Sequence, residues 1–186
     1  MVFLSNNPRF TKVKENQEYL DVENQVISEK DVKQYVLERY SEVKQGQKIK
    51  NLVNFQAMNK YMIMAHDQEE LKKLGYIVAS YKKIPFSEIL DYYEKHLEKS
   101  FEKKPSVKKH TNVLLHVFGH FSKDLSKQER KTLLDLLEQY RKENIALGKL
   151  LAEIHPIIFK FDNTYLASQT YFLLYSNIAP GIFSNI

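Results

Sequence analysis

Apolar residues return every three or four positions along most of this chain, and few glycines or prolines interrupt them. That spacing is the signature of amphipathic helices. After Ser28, with Asp31 three places on as a capping partner, Val32, Tyr35, Val36 and Tyr40 predict one helix, stopped at Gln45-Gly46-Gln47. A second runs from about 48 to 65, with Ile49, Leu52, Val53, Phe55, Met58, Tyr61, Met62 and Met64. Its apolar stripe is wide enough to make it central. Asp67 caps a third helix carrying Leu71, Leu74, Ile77 and Val78. A fourth follows Pro85, with Ser87 or Pro85 at its start and Ile89, Leu90, Tyr93 and Leu97 on its inner face. Ser126 and Glu129 form a capping box, and the spacing predicts one long helix from there, bent at Gly148 and ended by Pro156. Ile157-Ile158-Phe159 is the one strand-like run, and it is short. Residues 165–175 predict a last helix. The expectation is an all-α chain: a single bundle of six to eight helices with an N-terminal arm. Residues 1–47 would form the arm and first helix, 48–175 the helical domain and 176–186 a tail.

The chain has no cysteine. That rules out a disulfide framework, a thiolate zinc site, a cysteine-held iron–sulfur cluster and a cysteine nucleophile. The net charge of +5 permits a polyanionic partner without requiring one. The first residues carry neither a basic segment nor a long apolar run, and no stretch is apolar enough to span a bilayer. The expectation is a cytoplasmic protein with no membrane partner.

One stretch concentrates polar chemistry: Lys108-Lys109-His110-Thr111-Asn112, then His116 and His120, in an otherwise apolar helix. On a wheel of about 100° per residue, Lys109, Asn112, His116, His120 and Lys123 share one side. His116 and His120 have the spacing of two metal ligands on one helix, but a third ligand would have to come from elsewhere, such as His66 or His155. The expectation is therefore no metal and no cofactor. A helix starting near Thr111 would aim free N–H groups at Lys108 and Lys109 and make an anion site. One starting at Ser106 would instead turn His110 to the apolar side. No glycine-rich phosphate loop and no nucleophile elbow is present.

Tyr61-Met62-Ile63-Met64-Ala65-His66, Leu74-Gly75, Lys109-His110-Thr111-Asn112-Val113-Leu114 with His116 and Gly119, Tyr140-Arg141, and Tyr165-Leu166-Ala167-Ser168-Gln169-Thr170-Tyr171 together resemble the YbgA-like family of helical domains. The resemblance covers about residues 48–175. Some relatives carry this domain behind an iron–sulfur desulfidase acting on thiolated uracil, and there it is thought to hold the RNA. The resemblance therefore implies a non-catalytic RNA-binding module for tRNA or another structured RNA. Lys60, Lys108, Lys109 and Arg141 would meet phosphates. His66, His110, Thr111, Asn112 and His116 would form a pocket, lined or braced by Tyr165 and Gln169. Each of His66, Tyr165 and Gln169 also reads as a buried, hydrogen-bonded core residue, and Arg141 as a partner of Glu138 or Asp67. Two alternatives stand beside it: a small-molecule enzyme using the same histidines, and a scaffold docking a separate desulfidase. Where the family pattern has prolines after the Tyr-Arg pair, this chain has Ala146 and Leu150. His120 stands where relatives carry an aromatic residue, so the resemblance gives it no ligand role.

Overall fold

The structure is a computed structural model that describes residues 27–161 and 163–176. The expected arm anchors Phe3, Leu4, Phe10, Val22 and Val26, and the tail around Pro180, lie outside the described residues. Those described residues form nine helices and no strand: α1 (Glu29–Gly46), α2 (Ile49–His66), α3 (Gln68–Ala79), α4 (Phe86–Ser100), α5 (Val107–Gly119), α6 (Lys127–Arg141), α7 (Leu147–Lys160), α8 (Thr164–Ala167) and α9 (Thr170–Tyr175). The all-α expectation holds. No helix among them is long and apolar enough to cross a membrane.

The wide stripe on the second helix has the consequence its width implies. α2 packs against α1, α3, α4, α5 and α9, and every residue over 61–67 is buried. Tyr40 of α1, Phe55 of α2 and Tyr93 of α4 meet beneath it. Tyr40 and Tyr93 stack at 5.2 Å and 18°, and Phe55 meets both rings edge-on at 5.4 and 6.0 Å. The Tyr40 hydroxyl donates to the Leu90 carbonyl at 2.6 Å, so its burial strands no polar group.

Local signals set most boundaries. Ser28 and Asp31 form a full capping box for α1, and Ser126 and Glu129 form one for α6. The Asp67 carboxylate accepts from the Glu69 and Glu70 amides. Ser126→Ala should therefore cost about 1 kcal/mol, visible as a lower urea midpoint with an unchanged slope. At α4 the cap position is Pro85, without a side-chain hydrogen bond, rather than Ser87.

Four sequence readings differ from the structure. The long helix after Ser126 is two helices. Glu143 adopts φ 58°, a left-handed turn in which the Asn144 amide donates to the Gln139 carbonyl at 2.9 Å. Pro156 does not end α7 but sits inside it, and the strand-like run is part of the same helix. A proline there forfeits one backbone hydrogen bond. The final turn is held by other means: Ile158 is buried, Phe161 stacks on Phe121 at 6.0 Å and 11°, and Lys160 pairs with Glu129 at 2.5 Å. The last apolar run also divides, into α8 and α9, around Ser168 and Gln169.

Candidate functional site

Ser106, not Thr111, opens α5: its hydroxyl accepts from the Lys109 amide at 3.3 Å. The Thr111 hydroxyl lies one turn inside and donates to the Val107 carbonyl at 2.7 Å. This register turns His110 into the core and leaves His116 and His120 exposed. Most of the residues singled out from the sequence consequently fall into two groups on different sides of α5.

The first group is enclosed. His66 and His110 are 1% and 7% exposed. His66 Nδ1 is 2.9 Å from the Lys103 carbonyl, and its Nε2 is 3.3 Å from both the Tyr175 hydroxyl and Glu29 Oε2. His110 Nδ1 is 2.8 Å from the Tyr171 hydroxyl, within a collar of Tyr140, Tyr171 and Tyr175 rings. Burial pushes both imidazoles down to about 4; the nearby Lys109 charge adds to this in each, and the Lys103 carbonyl opposes it at His66. Burial also raises the Tyr140 phenol to about 12. Lys109 does not reach out for a phosphate here. Its ammonium donates to the His66 carbonyl at 2.5 Å and the Lys104 carbonyl at 2.8 Å, closing the C-terminal end of α2 against the loop before α5.

The second group is open. His120 is exposed, and its Nε2 is 2.7 Å from the hydroxyl of the buried Tyr61. Its ring lies 5.5 Å from that of the half-buried Tyr165, inclined at 37°, and Tyr61 meets Tyr165 at 6.3 Å. Lys60 places its ammonium 5.6 Å from the Tyr61 ring centre. Partial burial, then the charges of Lys60 and His116, lower the His120 pKa. Gln169 braces the group from below. It is 1% exposed, and its amide donates to the Ala57 carbonyl at 2.9 Å and the Tyr165 carbonyl at 3.2 Å, tying α8 to α2. Asn112 is half-buried one turn before His116 on the same helix.

Lys108 and Arg141 join neither group. Lys108 is exposed, and Arg141 is exposed and pairs with Glu138 at 3.2 Å. Among the described residues, no three His, Asp or Glu side chains gather as a metal site. Four participants escaped the sequence reading. Tyr61 was legible only as a core residue, and His120 was visible on the polar stripe but set aside. Glu29 and Tyr175 had no local signal at all, since 146 positions separate them.

The family model described as "Protein of unknown function (DUF1722)" matches residues 60–176. The Escherichia coli K12 protein described as "Uncharacterized protein YbgA" is 28% identical over 130 residues, covering 68% of this chain and 76% of that protein. No solved structure matches. Both residue groups apart from Glu29 fall within the matched span, so the chain belongs to the YbgA-like, DUF1722 family of proteins of unknown function.

Proposed function

We propose that this protein is an RNA-binding module, with tRNA or another structured RNA as its partner, and that the open group on α2, α5 and α8 is the contact surface. The observation that carries the reading is the tilted His120–Tyr165 ring pair at the surface, with Lys60 and His116 beside it. Unpaired bases stack on such rings, and cations alongside meet the phosphates. Tyr61 and Gln169 hold the rings in place from inside the bundle. The enclosed histidines serve this surface only as packing.

The test is fluorescence anisotropy with bulk tRNA at two salt concentrations. Binding should weaken with salt, because lysine–phosphate contacts release counterions. Lys60→Ala combined with Tyr165→Ala should weaken it about tenfold or more, since one base–aromatic stack is worth about 1–3 kcal/mol. Lys83→Ala, an exposed lysine on the α3–α4 turn outside the proposed surface, should leave it unchanged. No binding, or equal loss in all variants, overturns the proposal.

A further inference from the structure

We propose that Glu29, His66 and Tyr175 hold one proton in common, and that this proton latches α1 onto the ends of α2 and α9, so that α1 docks tightly in mildly acidic solution and loosens as the solution turns alkaline. The inference follows from counting hydrogens. His66 Nδ1 faces a carbonyl oxygen, which can only accept, so Nδ1 carries the hydrogen of a neutral ring. Nε2 is then a bare lone pair. It faces Glu29 Oε2 at 3.3 Å and the Tyr175 hydroxyl at 3.3 Å. Tyr175 has one hydrogen and donates it to the Glu29 carboxylate, at 3.0 and 3.1 Å. With Glu29 ionised, Nε2 and Oε2 are two acceptors in contact with nothing between them. One added proton, on either atom, turns that contact into a hydrogen bond and satisfies all three side chains.

The surroundings admit that proton without supplying a substitute. From the loop before α5, Lys104 acts on Glu29 through space, while the Lys103 ammonium is taken by Asp67 at 2.6 Å. From α5, Lys109 and His110 lie near His66 and disfavour a full positive charge there. Tyr140 on α6 and Tyr171 on α9 are neutral phenols. On α1 itself, Asp31 is occupied by Ser28. The face of His66 meets the apolar ring of Phe101 at 4.5 Å. Burial raises the Glu29 pKa and lowers that of His66, so both groups lean towards their uncharged forms.

The sign follows by comparing α1 docked and undocked. Undocked, Glu29 and His66 return towards their ordinary values of 4.5 and 6.5. Between those values both states hold one proton, and docking is independent of pH. Above 6.5 the undocked state gives its proton up while the docked triangle keeps it, so docking weakens by up to about tenfold per pH unit. Below 4.5 the undocked state takes a second proton that the docked state resists, and docking weakens again.

The experiment is hydrogen exchange of the α1 amides, corrected for intrinsic rates, from pH 5 to 8.5. Protection should be flat to 6.5 and fall beyond it. Glu29→Gln supplies a fixed N–H to His66 and a carbonyl to Tyr175 and has no carboxyl proton to lose, so its protection should rise from pH 5 to 6.5, as the undocked His66 gives up its proton, and stay flat above 6.5. A flat wild-type profile, or a Glu29→Gln profile that falls like the wild type, overturns the proposal. The wild type also answers alone: a titration of the Glu29 carboxyl carbon with its midpoint above 6.5 supports the shared proton, and a midpoint below 6.5 overturns it.

Discussion

Tyr93→Ala is expected to destabilise the bundle by about 3–5 kcal/mol, the range for deleting a large buried ring. Tyr93 is fully buried, stacks on Tyr40 and meets Phe55 edge-on, so its removal opens a cavity where α1, α2 and α4 join. Its hydroxyl donates to the Gln56 side-chain oxygen. Tyr93→Phe keeps the ring and loses only that bond, so it should cost about 1 kcal/mol. Urea unfolding of the two variants separates packing from hydrogen bonding. A loss below about 2 kcal/mol in Tyr93→Ala would mean that the three-helix junction is not closed as described.

The second large effect is at acid pH. The Glu70 side chain is 3% exposed and bridges three cations: Lys73 at 2.8 Å, His96 at 2.5 Å and Lys99 at 3.4 Å. Burial alone would raise its pKa. The hydrogen bonds and charges of Lys73 and His96 outweigh that and hold the carboxyl down to about 2, against an ordinary 4.5. A depressed carboxyl stabilises the fold above its unfolded value and loses that contribution as pH falls from 4.5 towards 2. The loss should be about 3 kcal/mol. His110 acts in the same sense at higher pH: its contribution is present above 6.5 and is lost as pH falls towards 4. Comparing Glu70→Gln with wild type cancels the histidine part. The wild type should fall more steeply than Glu70→Gln between pH 4.5 and 2, and equal acid limbs would contradict the bridge.

Features encoded within a few residues were legible before any coordinates. The Val32, Tyr35, Val36, Tyr40 spacing and the Ser126–Glu129 box each involve one helix or one turn, and each reads correctly. The start of α5 was ambiguous because Ser106 and Thr111 are both able caps; the apolar company of His110 decided between them, and that is a tertiary fact. Glu143 adopts a left-handed conformation with no glycine to announce it. Pro156 stays helical because Ile158, Phe161 and Lys160 hold the turn after it, contacts made with other helices. The polar stripe reads only in part: Asn112, His116 and His120 fall on the open side, whereas Lys109 turns to the enclosed group. That Tyr61 and Tyr165 meet there beside His120 was not legible, since nothing in a linear pattern says which rings meet across helices.

The bond from Tyr175 to Glu29 closes a loop of 146 residues. Bringing together chain segments that far apart costs about 4 kcal/mol of loop entropy before any contact offsets it. Neighbouring pairs such as α2 with α3 and α3 with α4 carry no such burden. In folding, therefore, the hairpins should form first and α1 should settle against α9 among the last events. Substitutions at Glu29 should then accelerate unfolding while leaving the refolding rate nearly untouched.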